Sequence, residues 1–321
     1  MTPAASGGLA RDRSAPAFLF PGQLSETVGI GRDFIEADPE ARSLLERTSA
    51  RCGRDLRRVL FEGPEEALHE NLAAQAGVYL VSTLAARALV LRRVLPKATA
   101  GYSLGNYAAM VAAGAVSYED ALEVLIAVWR ETERLSIRGR MGAVVGARRE
   151  LVEQVCAQLR TDGLLVWIGN VNAATQFVLT GQGPAVEAAL EALTPRALNV
   201  LPLSMSWPIH SELMLPVARA IAPVVEGCRS IRDPQIPYYG PDGRAVTTGA
   251  RVREILATEF CWPTLWNVTF EHMIADGHRM FLEVGPGEML TKMARWIDRS
   301  VTCRPAGTLA AQGGLTDIIQ T

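Results

Sequence analysis

Apolar and polar positions along this chain change their period several times, and each change marks an element. Ala17–Phe20 is a short uninterrupted apolar run that stops at Pro21-Gly22, as a buried strand does. Over residues 26–51, and again over 72–95, apolar residues recur at helical spacing, and Pro96 breaks the second stretch. Residues 97–101 read as a strand and residues 105–113 as a helix of small side chains. Ser117 reads as an N-cap, with Asp120 three positions on as its capping-box partner, for a helix to about Arg134.

The pattern shifts after Gly139. Strand-like stretches at 141–146, 164–171, 177–180 and 198–203 are interleaved with helical ones at 148–159 and 184–193. That β-α-β-β-α-β order is the order of a ferredoxin-like unit of ~65 residues. It begins and ends inside an otherwise alternating α/β chain, whose helical and strand signals resume from 210 to about 309. The expected fold is therefore α/β. A large α/β-hydrolase-like catalytic domain with a parallel sheet spans 17–139 and 207–321. A ferredoxin-like small subdomain is inserted at 140–206, and a flexible tail occupies 1–16.

Composition narrows the function classes. The 321 residues are enough for a well-buried core, and 49% hydrophobic with 21% charged residues is ordinary for a globular enzyme. A formal net charge of −2 leaves no electrostatic footprint for nucleic acid or an anionic membrane, and neither is expected as a partner. The five cysteines are scattered, with no spacing for zinc or a disulfide framework, so a reducing compartment is expected. The first sixteen residues lack the apolar stretch of a signal peptide, and no uninterrupted apolar run of about 18 residues suggests a membrane span. The expected location is the cytoplasm.

The sharpest chemical signal is Gly101-Tyr102-Ser103-Leu104-Gly105, between a strand and a helix. This is the context of a nucleophile elbow, where the glycines admit a turn too sharp for flanking Cβ atoms. It leaves Ser103 at a helix N-terminus, where free N–H groups can stabilise an oxyanion.

At these residues the chain resembles the malonyl-CoA:acyl carrier protein transacylases and the acyltransferase domains of polyketide synthases. The resemblance covers residues 17–310 in ordered blocks: Phe20-Pro21-Gly22-Gln23, Gln75 on its helix, the elbow at Ser103, Trp207 to Met214 around His210, and Glu283-Val284-Gly285-Pro286-Gly287. Asn172, in Gly169-Asn170-Val171-Asn172, resembles the NxN turn of the family's small subdomain. The resemblance implies Ser103 as acyl-carrying nucleophile and His210 as its base, the imidazole being oriented by main-chain carbonyls. Of the four histidines, His69, His272 and His278 are read as surface or core-edge residues. It further implies an oxyanion hole from the N–H groups of Gln23 and Leu104, worth about 3 kcal/mol per donor. Gln75 steadies the site, and Gly285-Pro286-Gly287 is a packing turn.

Several positions depart from the family. Tyr102 stands where a histidine precedes the serine, Asn106 where a glutamate follows, and Pro21-Gly22-Gln23-Leu24-Ser25-Glu26 replaces PGQGSQ. The family's malonyl-clamping arginine lies about fourteen positions beyond the glycine of its AGxxS segment, here Gly114, and that spacing lands on Val128. Arg130, two positions later, is rotated about 200° around a helix and faces away. A valine cannot pair a carboxylate, so an acyl group without a free carboxylate is expected; a shifted register would instead make Arg130 the clamp. Ile209, beside the base, suits a hydrocarbon chain, and Trp207 and Trp129 are read as core aromatics near the pocket.

The expected activity is ping-pong acyl transfer from a coenzyme A or phosphopantetheine thioester to the thiol of an acyl carrier protein, in polyketide or fatty-acid assembly. No permanently bound cofactor or metal is expected. The alternatives are an acyl-carrier-protein hydrolase, a malonyl transferase if Arg130 is the clamp, and, in a different class, an inactive docking protein.

Overall fold

The computed structural model of the chain describes residues 15–306. The expected tail therefore lies outside the described residues except for Ala15 and Pro16, as do the last residues of the expected closing segment. The described strands are β1 (Ala17–Phe20), β2 (Thr99–Gly101), β3 (Arg140–Val145), β4 (Val166–Ala173), β5 (Gln176–Gly181), β6 (Asn199–Leu203), β7 (Tyr238–Tyr239), β8 (Ala245–Val246), β9 (Met280–Glu283) and β10 (Thr302–Pro305). They form a six-stranded sheet, β10-β9-β1-β2-β7-β8, and a four-stranded sheet, β4-β5-β3-β6.

The larger sheet is parallel except at β7–β8. β1 shows why it is buried on both faces. Successive side chains of a strand point to opposite sides. Phe18 and Phe20 enter one apolar core with most of the helices, while Ala17 and Leu19 enter a second core with Trp266, Phe270 and Phe281. A sheet covered on both faces needs a continuous apolar run, and β1 has one.

The helix expected over 26–51 is two helices, Arg32–Ala37 and Pro39–Cys52. Pro39 has no N–H to continue the first, and the Asp38 side chain accepts from Glu40 N at 2.9 Å to start the second. The next expected helix, observed at Asn71–Leu91, ends four residues earlier than expected, and Arg93 then turns the chain at φ 65°. By length and composition this helix could span a membrane, but 67% of its apolar window is buried inside the protein. At Ser117 the capping box closes through a third residue. Asp120 N donates to Ser117 Oγ, but the Asp120 carboxylate accepts from Ser230, whose Oγ in turn accepts from Ser117 N.

All pairs in the smaller sheet are antiparallel, with β3 between β5 and β6 and the helices Arg149–Thr161 and Gly183–Leu193 packed on it. This is the ferredoxin-like order. β4 also grips the segment after Phe260. Val171 N donates to Thr264 O at 2.9 Å, and Thr264 N to Gly169 O at 2.8 Å. From β5, Thr180 Oγ1 donates to Ile209 O at 2.7 Å. The smaller sheet therefore fixes the two loops that frame the site described next.

Candidate active site

Ser103 lies in the turn between β2 and the helix Gly105–Ala112, partly exposed, with φ 53°. Left-handed backbone costs a non-glycine residue of order 1–3 kcal/mol and persists only where the surroundings enforce it. Here they do. A Cβ on Gly101 would lie 2.2 Å from Asn106 N, and one on Gly105 would lie 2.0 Å from Phe20 O. Only glycine lets β2, the turn and β1 approach this closely. Tyr102 N donates to Phe20 O at 2.9 Å, and the Asn106 side chain donates to Ser103 O at 3.0 Å. Tyr238 OH holds the other end of that amide at 2.8 Å. Asn106 thus fastens the elbow from beneath.

His210 is buried and also left-handed, at φ 64°, its N–H given to Phe260 O at 2.6 Å. Its Nδ1 lies 3.0 Å from Trp262 O. A carbonyl only accepts, so Nδ1 carries the proton and Nε2 of the neutral ring is an acceptor. Nε2 lies 2.6 Å from Ser103 Oγ. Burial pushes the imidazole down from 6.5 to about 4, against the opposing pull of the Trp262 and Glu259 backbone contacts. The pair is a hydroxyl on a strained turn facing an unprotonated base. Such an arrangement can pass the serine proton to the ring as the oxygen attacks a carbonyl carbon.

Leu24 is a third left-handed residue at this place, φ 72°, in the turn that follows β1. Ser25 Oγ ties that turn to Gly22 O at 2.5 Å. Among the described residues neither Gln23 N–H nor Leu104 N–H has a hydrogen-bond partner, and both residues border the cavity beside Ser103. Gln75 does not reach the serine. Its amide donates to Gln23 Oε1 at 3.3 Å, and Gln23 Nε2 reaches Asn71 Oδ1 at 3.4 Å, so Gln75 acts on the Gln23 side chain.

The cavity beside the pair is small, about 40 Å³, and Leu125, Val128, Trp207, Ile209 and Phe260 form its apolar walls. A larger cavity of about 760 Å³, bordered by Gly31, Val81, Arg87 and Pro286, contains none of these residues and no pair of groups fit for acyl chemistry. Val128 faces the smaller cavity; Arg130 is exposed and does not line it. Trp129 is likewise absent from the walls, its ring lying 6.0 Å beneath the Arg54 guanidinium. Trp207 does line it and donates from Nε1 to Glu133 at 3.1 Å.

Tyr102 and Asn172 stand behind the site. Their buried side chains meet at 2.9 Å, phenol to amide oxygen. Asn172 is not in a turn, as expected, but in β4, where a register shift between Val171 and Ala173 lets the strand bend. The turn Gly285-Pro286-Gly287 packs on Pro21 and Ser82, while Glu283 accepts from Leu290 N and Thr291 N.

Two contributors carry no sequence signal. Trp262 acts through its carbonyl, which every residue type has. Glu259 joins the cavity lining from a short 3₁₀ turn, Glu259–Cys261, far in sequence from any motif. It is 6% exposed, and burial raises it from 4.5 to about 7 against a hydrogen bond from the Asn106 amide. Among the described residues no three His, Cys, Asp or Glu side chains are grouped to hold a metal ion.

A strand-turn-helix serine facing a carbonyl-held histidine, on an α/β sheet joined to a ferredoxin-like one, defines an acyl-transferring enzyme. Residues 17–310 match the acyl transferase domain, and the chain belongs to that family. It is an acyltransferase. Among its relatives, the malonyl CoA-acyl carrier protein transacylase of Bacillus subtilis strain 168 is 32% identical over 290 residues, covering 88% of this chain and 90% of that protein. The transacylase of Escherichia coli K12 is 31% identical over 298 residues, with 89% and 94% covered. Among solved structures, the malonyl-CoA:acyl carrier protein transacylase of Xanthomonas oryzae superposes with a TM-score of 0.88 at 31% identity, over 95% of this chain and 98% of that one. A type II polyketide-synthase malonyl transacylase, solved in complex with its acyl carrier protein, gives 0.85 at 28% identity over 93% and 99%.

Proposed function

We propose that this acyltransferase carries a small acyl group on Ser103, between a thioester donor and the phosphopantetheine thiol of an acyl carrier protein. The observation that carries the reading is the 2.6 Å approach of Ser103 Oγ to the neutral Nε2 of His210. His210 takes the hydroxyl proton as Oγ bonds to the thioester carbon, and the oxyanion is met by the N–H groups of Gln23 and Leu104. The carbon–sulfur bond then breaks, and the departing sulfur takes the proton back from Nε2. In the second half a carrier thiol gives its proton to Nε2 and attacks the ester carbon, and as the carbon–oxygen bond breaks Ser103 Oγ takes that proton back. Coenzyme A and phosphopantetheine thioesters are thus substrates. The names of the relatives, and the carrier protein in one solved complex, support the acceptor.

The cavity favours an acyl group with no free carboxylate. Its lining includes Val128 and Glu259, while Arg130 is exposed outside it. A malonyl carboxylate would enter unpaired, beside a second acid, at a desolvation penalty of several kcal/mol. Malonyl transfer is the second reading, and the names of the curated relatives favour it over the uncarboxylated group.

Intact-protein mass spectrometry separates these readings. Enzyme is mixed with acetyl-, butyryl- or malonyl-coenzyme A, with and without holo acyl carrier protein. An adduct on Ser103 that moves to the carrier, strongest for uncarboxylated groups, is expected. Malonyl-only loading establishes the second reading. An adduct that decays to free acid in the presence of carrier makes the protein a hydrolase, and no adduct on Ser103 with any thioester overturns the acyl-serine.

A further inference from the structure

The carboxyl of Glu259 has a feature the acyl-transfer scheme does not use. Its Oε2 is buried with no hydrogen-bond partner in the structure, and the residue lines the cavity next to Ser103 and His210. Tyr107 lines the same cavity, and it does not donate to that oxygen. Among the described residues, the Asn106 amide, which also donates to Ser103 O, is the side-chain donor beside this carboxyl. The rest of the lining offers no cation: apolar walls, the amides of Gln23 and Gln75, and a neutral imidazole. A buried carboxyl oxygen left without a donor is costly, and a purely hydrocarbon acyl group would leave it so. A free carboxylate would add like charge. An acyl group carrying a polar hydrogen satisfies it.

Building on the acyl-serine reading, we infer that Glu259 is a specificity-determining residue whose free oxygen accepts a hydrogen bond from the acyl group, selecting short acyl thioesters that end in a hydroxyl or an ammonium. Size agrees with this. A cavity of about 40 Å³ has room for roughly three water-sized atoms, so the chain beyond the carbonyl is about three non-hydrogen atoms long. An acid poised near neutrality serves either group: it accepts from a hydroxyl, and it ionises against an ammonium.

Three coenzyme A thioesters of matched shape test this: butyryl, 3-hydroxypropionyl and β-alanyl, which end in methyl, hydroxyl and ammonium. The rate of acyl-Ser103 formation is read by quenched-flow mass spectrometry on the full-length enzyme. Wild type is expected to load one of the two polar groups about a hundredfold faster than butyryl, since a site built to hydrogen-bond a substrate discriminates strongly against the analogue lacking the donor. In Glu259→Leu the ratio falls below about threefold and butyryl loading rises, as expected when the acceptor is removed. Glu259→Gln keeps an acceptor of the same shape without the charge. It retains a hydroxyl preference and loses an ammonium one, which tells the two sources apart.

Fastest loading of butyryl by wild type overturns the inference, whatever the variants do. So does a Glu259→Gln or Glu259→Leu variant that slows all three thioesters by the same factor, because the residue is then structural. If none of the three labels Ser103, and neither acetyl- nor malonyl-coenzyme A does, the acyl-serine reading falls with it.

Discussion

The phenol of Tyr102 donates to Oδ1 of Asn172 at 2.9 Å, both side chains buried, so the turn that carries Ser103 is bonded directly to strand β4 of the other sheet. Tyr102→Phe removes the donor and leaves the Asn172 oxygen buried and unpaired. Stability is expected to fall by about 1–3 kcal/mol, read by urea denaturation. Asn172→Ala on the phenylalanine background should cost less than on wild type. A full additive loss in that double-mutant cycle would show the pair to be uncoupled.

His210 gives the pH dependence. Its folded-state value is depressed to about 4, so the base stays unprotonated through the mildly acidic range. The acid limb of kcat/KM for acyl-enzyme formation should therefore lie near pH 4 rather than 6.5, in a pre-steady-state pH series. Stability follows with the same sign. Above 6.5 the ring is neutral in both states, and its contribution is fully present. As pH falls from 6.5 towards 4 the unfolded chain binds the proton first, and about 3 kcal/mol is lost. His210→Gln should flatten that part of the stability profile.

Arg130 is exposed and outside the cavity, so Arg130→Ala should leave acylation rates with every thioester within about twofold, the usual outcome for an exposed charge. Abolished malonyl loading in that variant would restore Arg130 as a carboxylate clamp, and with it malonyl as the acyl group.

Glu283 is fully buried and accepts from Leu290 N at 2.9 Å and Thr291 N at 2.8 Å, which are orphan donors at the start of the helix Met289–Ile297. Glu283→Ala strands both N–H groups. A loss of about 2–6 kcal/mol is expected, summing two unsatisfied donors, with the Ser103 environment intact. Guanidinium melts and the rate of acylation, measured on the fraction still folded, check the two halves of that statement.

Gly105 is the least replaceable residue of the elbow. A methyl there would meet Phe20 O at 2.0 Å, in backbone that cannot swing aside as a side chain can. Gly105→Ala is expected to displace β1 or the helix Gly105–Ala112, costing more than about 3 kcal/mol by overpacking. Insoluble expression, or a Tm drop beyond that of Tyr102→Phe, is the readout.

Much of this was legible in the chain, for definite physical reasons. The strand-turn-helix context of Ser103 is written in Gly101 and Gly105, because only glycine fits where two backbones nearly touch. The β-α-β-β-α-β order of the smaller sheet follows from changes of period alone, and its strands fall within a few residues of their expected places. The break at Asp38-Pro39 was missed, although a capping residue precedes a proline there, because the helical spacing on either side masks it. Other features left no trace. Trp262 holds His210 through a main-chain oxygen, so its identity carries no information. Glu259 reaches the cavity only because the turn at 259–261 holds the segment that carries His210, whose N–H goes to Phe260 O. On its own, an acid between Thr258 and Phe260 reads as a surface residue. The turn expected at Asn172 failed because β4 bends through a bulge while keeping its strand pairing, and a bulge and a turn share the same small polar residues.

Ser103 and His210 are separated by 107 positions in sequence, with the whole antiparallel sheet threaded between them. On the ribosome the serine therefore emerges long before its partner, and before the segment at 260–264 that holds the imidazole. On the proposed acyl-serine mechanism, the nascent chain stays silent towards thioesters until the segment around 210–264 has closed over the elbow at Ser103. On that mechanism turnover is a record of completed folding, and a fragment from either side of the smaller sheet would bring a hydroxyl without a base or a base without a hydroxyl.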